Sequence, residues 1–309
     1  MAMTRAAAVL FIMAAGTAFG SGLARVAPEK PKMKILTTVF PLQEFVRETA
    51  GSRAEVALLL PPGAEVHTWQ PRVSDIRRLA ACDAFLYIGL GLEPWADDIL
   101  KGVARANLKV FEVGSAIGGR PKNRADGGTA PSEARDPHIW LDFGLDQTIV
   151  EKIRDFLTDL EPSQAAFFAD NAARYITRLK RLDDQCRGTF SSCLQKSFVF
   201  GGHAAFGYFA RRYGLEQIAV YGLSPDASPS PKELAAAIAE TKRRNIRTIF
   251  FEPGASDKMA RLIAREVGAD IRLLNPGHTL TAGQIKEGVT FLDLMASNLE
   301  SFKHGLACR

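Results

Sequence analysis

Short apolar runs alternate with helix-patterned segments along nearly the whole chain, and that alternation excludes most folds. Eight runs have the length and the β-branched or aromatic content of buried strands: residues 34–39, 54–60, 84–88, 108–113, 197–200, 217–220, 248–251 and 271–274. Between the first four, Pro41 opens a helix pattern with Leu42, Phe45 and Val46 on one face, Ser74 caps a short one, and 94–105 forms a third. Between and after the last four, helices are expected to begin near Ala204, Pro231 and Ser256, and a closing helix to run from about Thr281 to His304. Strand–helix–strand repeats predict βαβ units and parallel sheets. Residues 146–187 read as helical throughout, with an interruption at Glu161 and Pro162 and an apolar side that includes Leu157, Phe168, Tyr175 and Leu179. The expected architecture is α/β: two βα lobes with parallel sheets, at 33–145 and 195–309, joined by a long connecting helix over 146–187. Residues 114–135 break the rhythm. Rich in Gly, Pro, Ser and charge, they are expected to form a mobile surface loop.

At 309 residues there is room for two lobes of ordinary size, and 47% hydrophobic with 24% charged residues describes a globular chain. The net charge of +5 is spread along the sequence, with no zinc-finger spacing and no basic stripe interleaved with aromatics, so no nucleic-acid partner is expected. Arg5, the apolar stretch 6–15, and the small residues Ala18 and Gly20 predict a signal peptide over residues 1–20. The apolar stretch is too short for a comfortable membrane span, and no cysteine follows it to carry a lipid. A soluble periplasmic monomer, not lipid-anchored, is the expectation. In that compartment Cys186 and Cys193, separated by RGTFSS, are expected to form a disulfide, while Cys82 and Cys308 are left open.

Four of the five histidines share one address. His67 follows the second strand, His138 the fourth, His203 the fifth and His278 the last, each at a carboxyl strand end. His304, in the closing helix, has no such position. In open α/β sheets ligands bind in the crevice beyond the carboxyl ends of the strands. Two histidines from each lobe can therefore converge in an inter-lobe cleft, and three or four neutral imidazoles suit Zn²⁺. His278 is the least secure of the four as a ligand. Glu65, Glu252 and Asn275 are alternatives for the fourth place, and Glu252 could instead orient an imidazole.

Three segments also carry a resemblance. GAEVHTWQP, DPHIWLD and GGHAAFGYFARRYGL resemble, in order and lobe placement, elements of the zinc/manganese solute-binding proteins of ABC transporters. The resemblance implies two βα lobes around a long helix and capture of a transition metal between them. It further implies delivery to an inner-membrane permease with its ATPase. It makes His67, His138 and His203 metal ligands. Manganese-type members commonly have a carboxylate at the position of His203, so histidine there favours Zn²⁺ over Mn²⁺. Two departures stand out: the 114–135 insert contains no histidine, and Asn275 replaces the family's usual aspartate.

Three other readings compete with a zinc receptor. A zinc-dependent hydrolase could use three histidines and a water, but HExxH and GxSxG are absent from the sequence. A periplasmic metallochaperone would share the receptor's binding chemistry and is also a conceivable partner for it. An adhesin-type module would hold metal only for structure.

Overall fold

The computed structural model describes residues 31–103, 107–118, 136–223, 229–252 and 257–309. The expected signal peptide and most of the 114–135 insert lie outside these residues. Eight strands form two four-stranded sheets, all parallel. The first, in the order β2-β1-β3-β4, contains β1 (Met33–Thr37), β2 (Ala54–Leu58), β3 (Ala84–Tyr87) and β4 (Lys109–Glu112). It carries helices α1 (Phe40–Ala50), α2 (Val73–Ala80), α3 (Ala96–Lys101) and α4 (Val113–Ala116). Two long helices follow, α5 (Phe143–Leu160) and α6 (Ala165–Ser191), separated by a turn at Pro162–Gln164. The second sheet repeats the first as β6-β5-β7-β8, from β5 (Ser197–Phe200), β6 (Glu216–Ala219), β7 (Thr248–Phe251) and β8 (Asp270–Leu273). Its helices are α7 (Gly207–Tyr213), α8 (Pro231–Arg243) and α9 (Lys258–Val267), before α10 (Ala282–Glu287) and α11 (Phe291–Gly305) close the chain. This is the α/β two-lobe architecture with a long linking helix that the alternation predicts. Among the described residues, no helix is long and apolar enough to cross a membrane.

The two sheets share one strand order, and in parallel sheets of this kind ligands gather beyond the carboxyl ends of the strands. At Gly201, immediately after β5, an added Cβ would lie 2.9 Å from the Ala260 Cβ, so only glycine lets α9 approach the strand end this closely. The expected closing helix from Thr281 is two helices. Gly288 takes the left-handed conformation (φ 69°) that ends α10, and Thr290 and Asp293 then form a capping box that starts α11. The third helix is also shorter than the 94–105 pattern, because Gly102 follows α3 at its last turn.

Most of the apolar interior is one continuous cluster. It runs from Phe45 and Phe85 in the first lobe through Phe143, Leu179 and Phe190 on α5 and α6 to Phe198, Phe250 and Phe302 in the second. A smaller cluster, with Val199, Ile249 and Ile263 among its members, seals α8 and α9 onto the second sheet. Polar stitches cross the large cluster. The buried Glu44 carboxylate accepts from the Tyr175 hydroxyl at 2.8 Å and from the Phe291 amide at 2.7 Å, tying α1 to α6 and α11. Asp142 caps α5 by accepting from the amides of Gly144 (2.9 Å) and Leu145 (3.1 Å), and it pairs with Arg212 of α7 at 2.7 Å. Arg212 also pairs with Asp183 of α6, whose carboxylate accepts from Tyr213 at 2.8 Å.

The disulfide differs from the expected Cys186–Cys193 pair: Cys193 bonds Cys308, and Cys186 is a free, buried thiol. The helix is the reason. α6 continues through Gly188 to Ser191, so Cys186 lies inside it and packs near Tyr213. Seven residues of helical rise place two Cα atoms about 10 Å apart, beyond the reach of about 7 Å for a disulfide. Cys82 is also buried, and its Sγ donates to the Arg78 carbonyl at 3.2 Å.

One buried acid stands apart. Asp146, in the first turn of α5, is fully buried, and neither of its oxygens has a hydrogen-bond partner among the described residues. Burial pushes its carboxyl well above the usual range; Asp142 and Asp183 add to this, and Arg212 partly opposes it. A raised carboxyl favours folding while protonated, and that contribution is lost as pH rises above the unfolded-state value near 4. Asp146→Asn is therefore expected to stabilise the fold relative to wild type by on the order of 1 kcal/mol at pH 7, and by less at pH 4. Urea unfolding at the two pH values checks this, and an equal difference at both would refute it.

Candidate metal centre

His67 is held by its own loop. The Glu65 carbonyl accepts the amides of Thr68 (3.3 Å) and Trp69 (2.9 Å), and its carboxylate accepts the His67 amide at 3.1 Å. The preceding carbonyl, of Val66, accepts from the Trp95 indole at 3.1 Å, and Trp69 meets Trp95 edge-on at 4.7 Å. Trp95 in turn follows Glu93, a buried carboxylate accepting from Thr38, Ile88 and Gly89, whose burial raises it to about 7. Nothing in the sequence pattern marked Trp95 as a support of His67. Only its place after a strand end could have done so.

His138 precedes a single turn of 3₁₀ helix at Ile139–Leu141. Asp136 Oδ1 lies 3.1 Å from its amide and 2.9 Å from its ring Nδ1, which fixes the ring and turns Nε2 toward the second lobe. His203 follows Gly201 and Gly202 at the end of β5, with its Nδ1 3.3 Å from Glu252 Oε2. The two Nε2 atoms face each other at 3.1 Å. Nitrogens bound at about 2.0–2.1 Å to one tetrahedral Zn²⁺ lie about 3.4 Å apart, so this spacing is close to that of two ligands of one ion. His67 completes the group, its ring 5.5 Å from each of the other two. Its buried Nε2 has no hydrogen-bond partner among the described residues. An orphaned imidazole nitrogen beside two others that face each other is what a cation-binding set looks like before the cation is considered.

The structure therefore brings His67, His138 and His203 together, each with one ligand atom within 4.8 Å of the others. His278 stands beside them, its ring 6.3 Å from that of His203, in a second group with Glu65 and Glu252. The Asn275 side-chain oxygen accepts the Gly277 amide at 2.8 Å, so it shapes the turn that carries His278. His304 is exposed on α11.

Electrostatics divide the three imidazoles. Burial, with smaller contributions from the neighbouring imidazoles, pushes His67 down to about 2. Burial also lowers His138, although Asp136 opposes it. Both are neutral donors over the physiological range. Burial acts downward on His203 too, but the Glu252 carboxylate, with smaller help from Glu65 and Asp136, outweighs it and the ring ends above its ordinary value. A set of imidazole nitrogens with Asp136 and Glu252 behind it suits a borderline divalent ion such as Zn²⁺ better than a hard one.

Comparison with known proteins agrees with this chemistry. The family model for ZnuA, described as zinc-uptake complex component A, periplasmic, matches residues 35–305. The chain is 31% identical over 307 residues to the high-affinity zinc uptake system protein ZnuA of Bacillus subtilis, covering 97% of this chain and 95% of that one. It is 35% identical over 287 residues to the zinc-binding protein AdcA of Streptococcus pyogenes, covering 88% of this chain and 56% of the relative. The chain thus spans about half the length of the streptococcal relatives it matches. Among solved structures, the Zn(II)-bound ZnuA-like domain of Streptococcus pneumoniae AdcA superposes with a TM-score of 0.74 at 34% identity, covering 89% of this chain and 99% of that one.

Proposed function

Because the chain belongs to the ZnuA family of zinc-uptake components, we propose that it is an extracytoplasmic receptor that binds Zn²⁺ with high affinity and delivers it to the permease of an ATPase-driven ABC importer. The observation that carries this reading is the buried trio His67, His138 and His203, with two Nε2 atoms facing at 3.1 Å and a third left without a partner. Its family is one of receptors, and the reading assigns no catalytic residue. A soluble monomer in the periplasm, exported by residues 1–20, belongs to the same proposal. So does exchange with a periplasmic metallochaperone.

Titrating the metal-free chain with Zn²⁺ and Mn²⁺ tests the reading. Zn²⁺ is expected to bind tightly and Mn²⁺ far more weakly; equal affinities would sink the zinc assignment. The pH dependence follows from the imidazoles. Burial holds His67 and His138 below their ordinary values, so the proton that competes with zinc resides on His203, with Glu252, Glu65, Asp136, His67, His138 and His278 as its charged or titratable neighbours. Because His203 is raised, protonation should begin to weaken binding above the ordinary imidazole range, and affinity should then fall by about tenfold per pH unit below that onset. Glu252→Gln removes the carboxylate that raises His203 and should move the onset to lower pH. An onset unchanged in that variant would show that another group carries the proton.

A further inference from the structure

We propose that Arg212 is a positioning residue for the metal centre: its guanidinium clamps the segment that follows His138 to the helix that follows His203, and so sets the separation at which the two imidazoles meet. The proposal rests on the zinc-receptor reading.

Both connections to the imidazoles are short. A single 3₁₀ turn, Ile139–Leu141, separates His138 from Asp142, the cap of α5. On the other side the chain passes from His203 through residues 204–206 into α7, whose last turn holds Arg212. The guanidinium spans the gap with all three nitrogens. Nη1 lies 2.7 Å from Asp142 Oδ1, while Nε and Nη2 donate to the two oxygens of Asp183 on α6 at 2.7 and 2.5 Å. A planar fork holds two carboxylates in fixed directions, which a lysine ammonium does not. The three side chains are largely buried. Asp142 also accepts from two amides of α5, and Asp183 from the Tyr213 hydroxyl, so the carboxylates are themselves held in place.

Gly144 is an independent observation. A Cβ at this position, in the first turn of α5, would overlap Nη1 and Nη2 of Arg212. Alanine otherwise suits a helix better than glycine, so helix propensity here gives way to room for the guanidinium. Beside the clamp, Phe143 of α5 packs its ring on Phe209 and Tyr213 of α7, with centroids 6.0 and 6.2 Å apart.

The clamped segments leave the Nε2 atoms of His138 and His203 3.1 Å apart, near the spacing of two nitrogens on one tetrahedral Zn²⁺. A gap fixed at this size favours such an ion over Mn²⁺, which prefers octahedral oxygen shells. Loosening the clamp should therefore cost Zn²⁺ more than Mn²⁺.

Competition titrations of the full chain with Zn²⁺ and Mn²⁺, together with visible spectra of the Co²⁺-loaded protein, test this. Arg212→Lys keeps the charge and loses the fork; Gly144→Ala keeps the arginine and displaces it. Each should weaken Zn²⁺ binding about tenfold, narrow the preference over Mn²⁺ and weaken the tetrahedral Co²⁺ bands. Arg187→Ala removes the exposed partner of Asp183 but not the clamp, and should change none of these. Urea unfolding of the metal-free variants checks that each is folded, and Gly144→Ala carries the test alone if the lysine variant is not. Zn²⁺ affinity within threefold of wild type in the folded variants overturns the role. So does an equal loss for both metals with unchanged Co²⁺ bands, which would make Arg212 a support of the fold alone. Absence of tight Zn²⁺ binding in wild type would instead overturn the receptor reading itself.

Discussion

His203→Ala is expected to lose about a thousandfold in zinc affinity, measured by competition with a chromophoric chelator at pH 7.5. Apparent zinc-binding energies of about 10–16 kcal/mol, shared among three or four ligands, assign roughly 4 kcal/mol to each, and every 1.4 kcal/mol is a factor of ten. The geometry makes His203 the most damaging of the three to remove. It is the second lobe's member of the trio, its Nε2 faces that of His138, and it alone has Glu252 behind it. Without it, His67 and His138 face an uncompensated Glu252 across a space where the ring had been. His304→Ala, on the exposed face of α11, should leave affinity unchanged and serves as the control. A His203→Ala chain that folds normally and binds zinc within tenfold of wild type would remove this residue from the ligand set.

The second large effect is on stability. Cys193 and Cys308 close a loop with a sequence separation of 115 and tie the end of α6 to the end of α11. Cross-linking so long a loop restricts the unfolded chain, and removing a native disulfide typically costs about 2–5 kcal/mol. Cys193→Ser/Cys308→Ser should lower the urea midpoint accordingly while leaving zinc affinity near wild type, since neither sulfur is among the metal-competent groups. The backbone nearby also pairs, Gln195 donating to the Leu306 carbonyl at 3.1 Å, so the folded ends should stay together in the reduced chain. An unchanged midpoint would mean that this pairing already supplies the constraint.

Much of this was legible in the residues. Strands such as SFVF and TIFF show themselves because parallel sheets are buried on both faces and so read as unbroken apolar runs. The histidines declared themselves by position, because loops at carboxyl strand ends converge whatever their lengths. What stayed hidden depends on neighbours distant in sequence. The partner of Cys193 is 115 residues away, and nothing near RGTFSS signals that the helix runs on to Ser191. The Asp142–Arg212–Asp183 linkage joins three helices, and no local pattern links an N-cap aspartate to an arginine seventy residues later. His278 had the right address, yet its ring stands with two carboxylates, a distinction of a few ångströms that strand–loop reasoning does not resolve.

The continuous interior has a thermodynamic consequence. Geometry divides the chain into two sheets, but Phe45, Phe143, Phe190, Phe250 and Phe302 belong to a single packed cluster. Neither sheet can lose its inner face without exposing apolar surface on the other. Heat capacity traces should accordingly show one cooperative transition for both sheets, with calorimetric and van't Hoff enthalpies in agreement. Among the described residues, the layer formed by α8 and α9, sealed by its own small cluster, has the independence to open on its own, and its amides should exchange with solvent sooner than those of β1, β3 or α6.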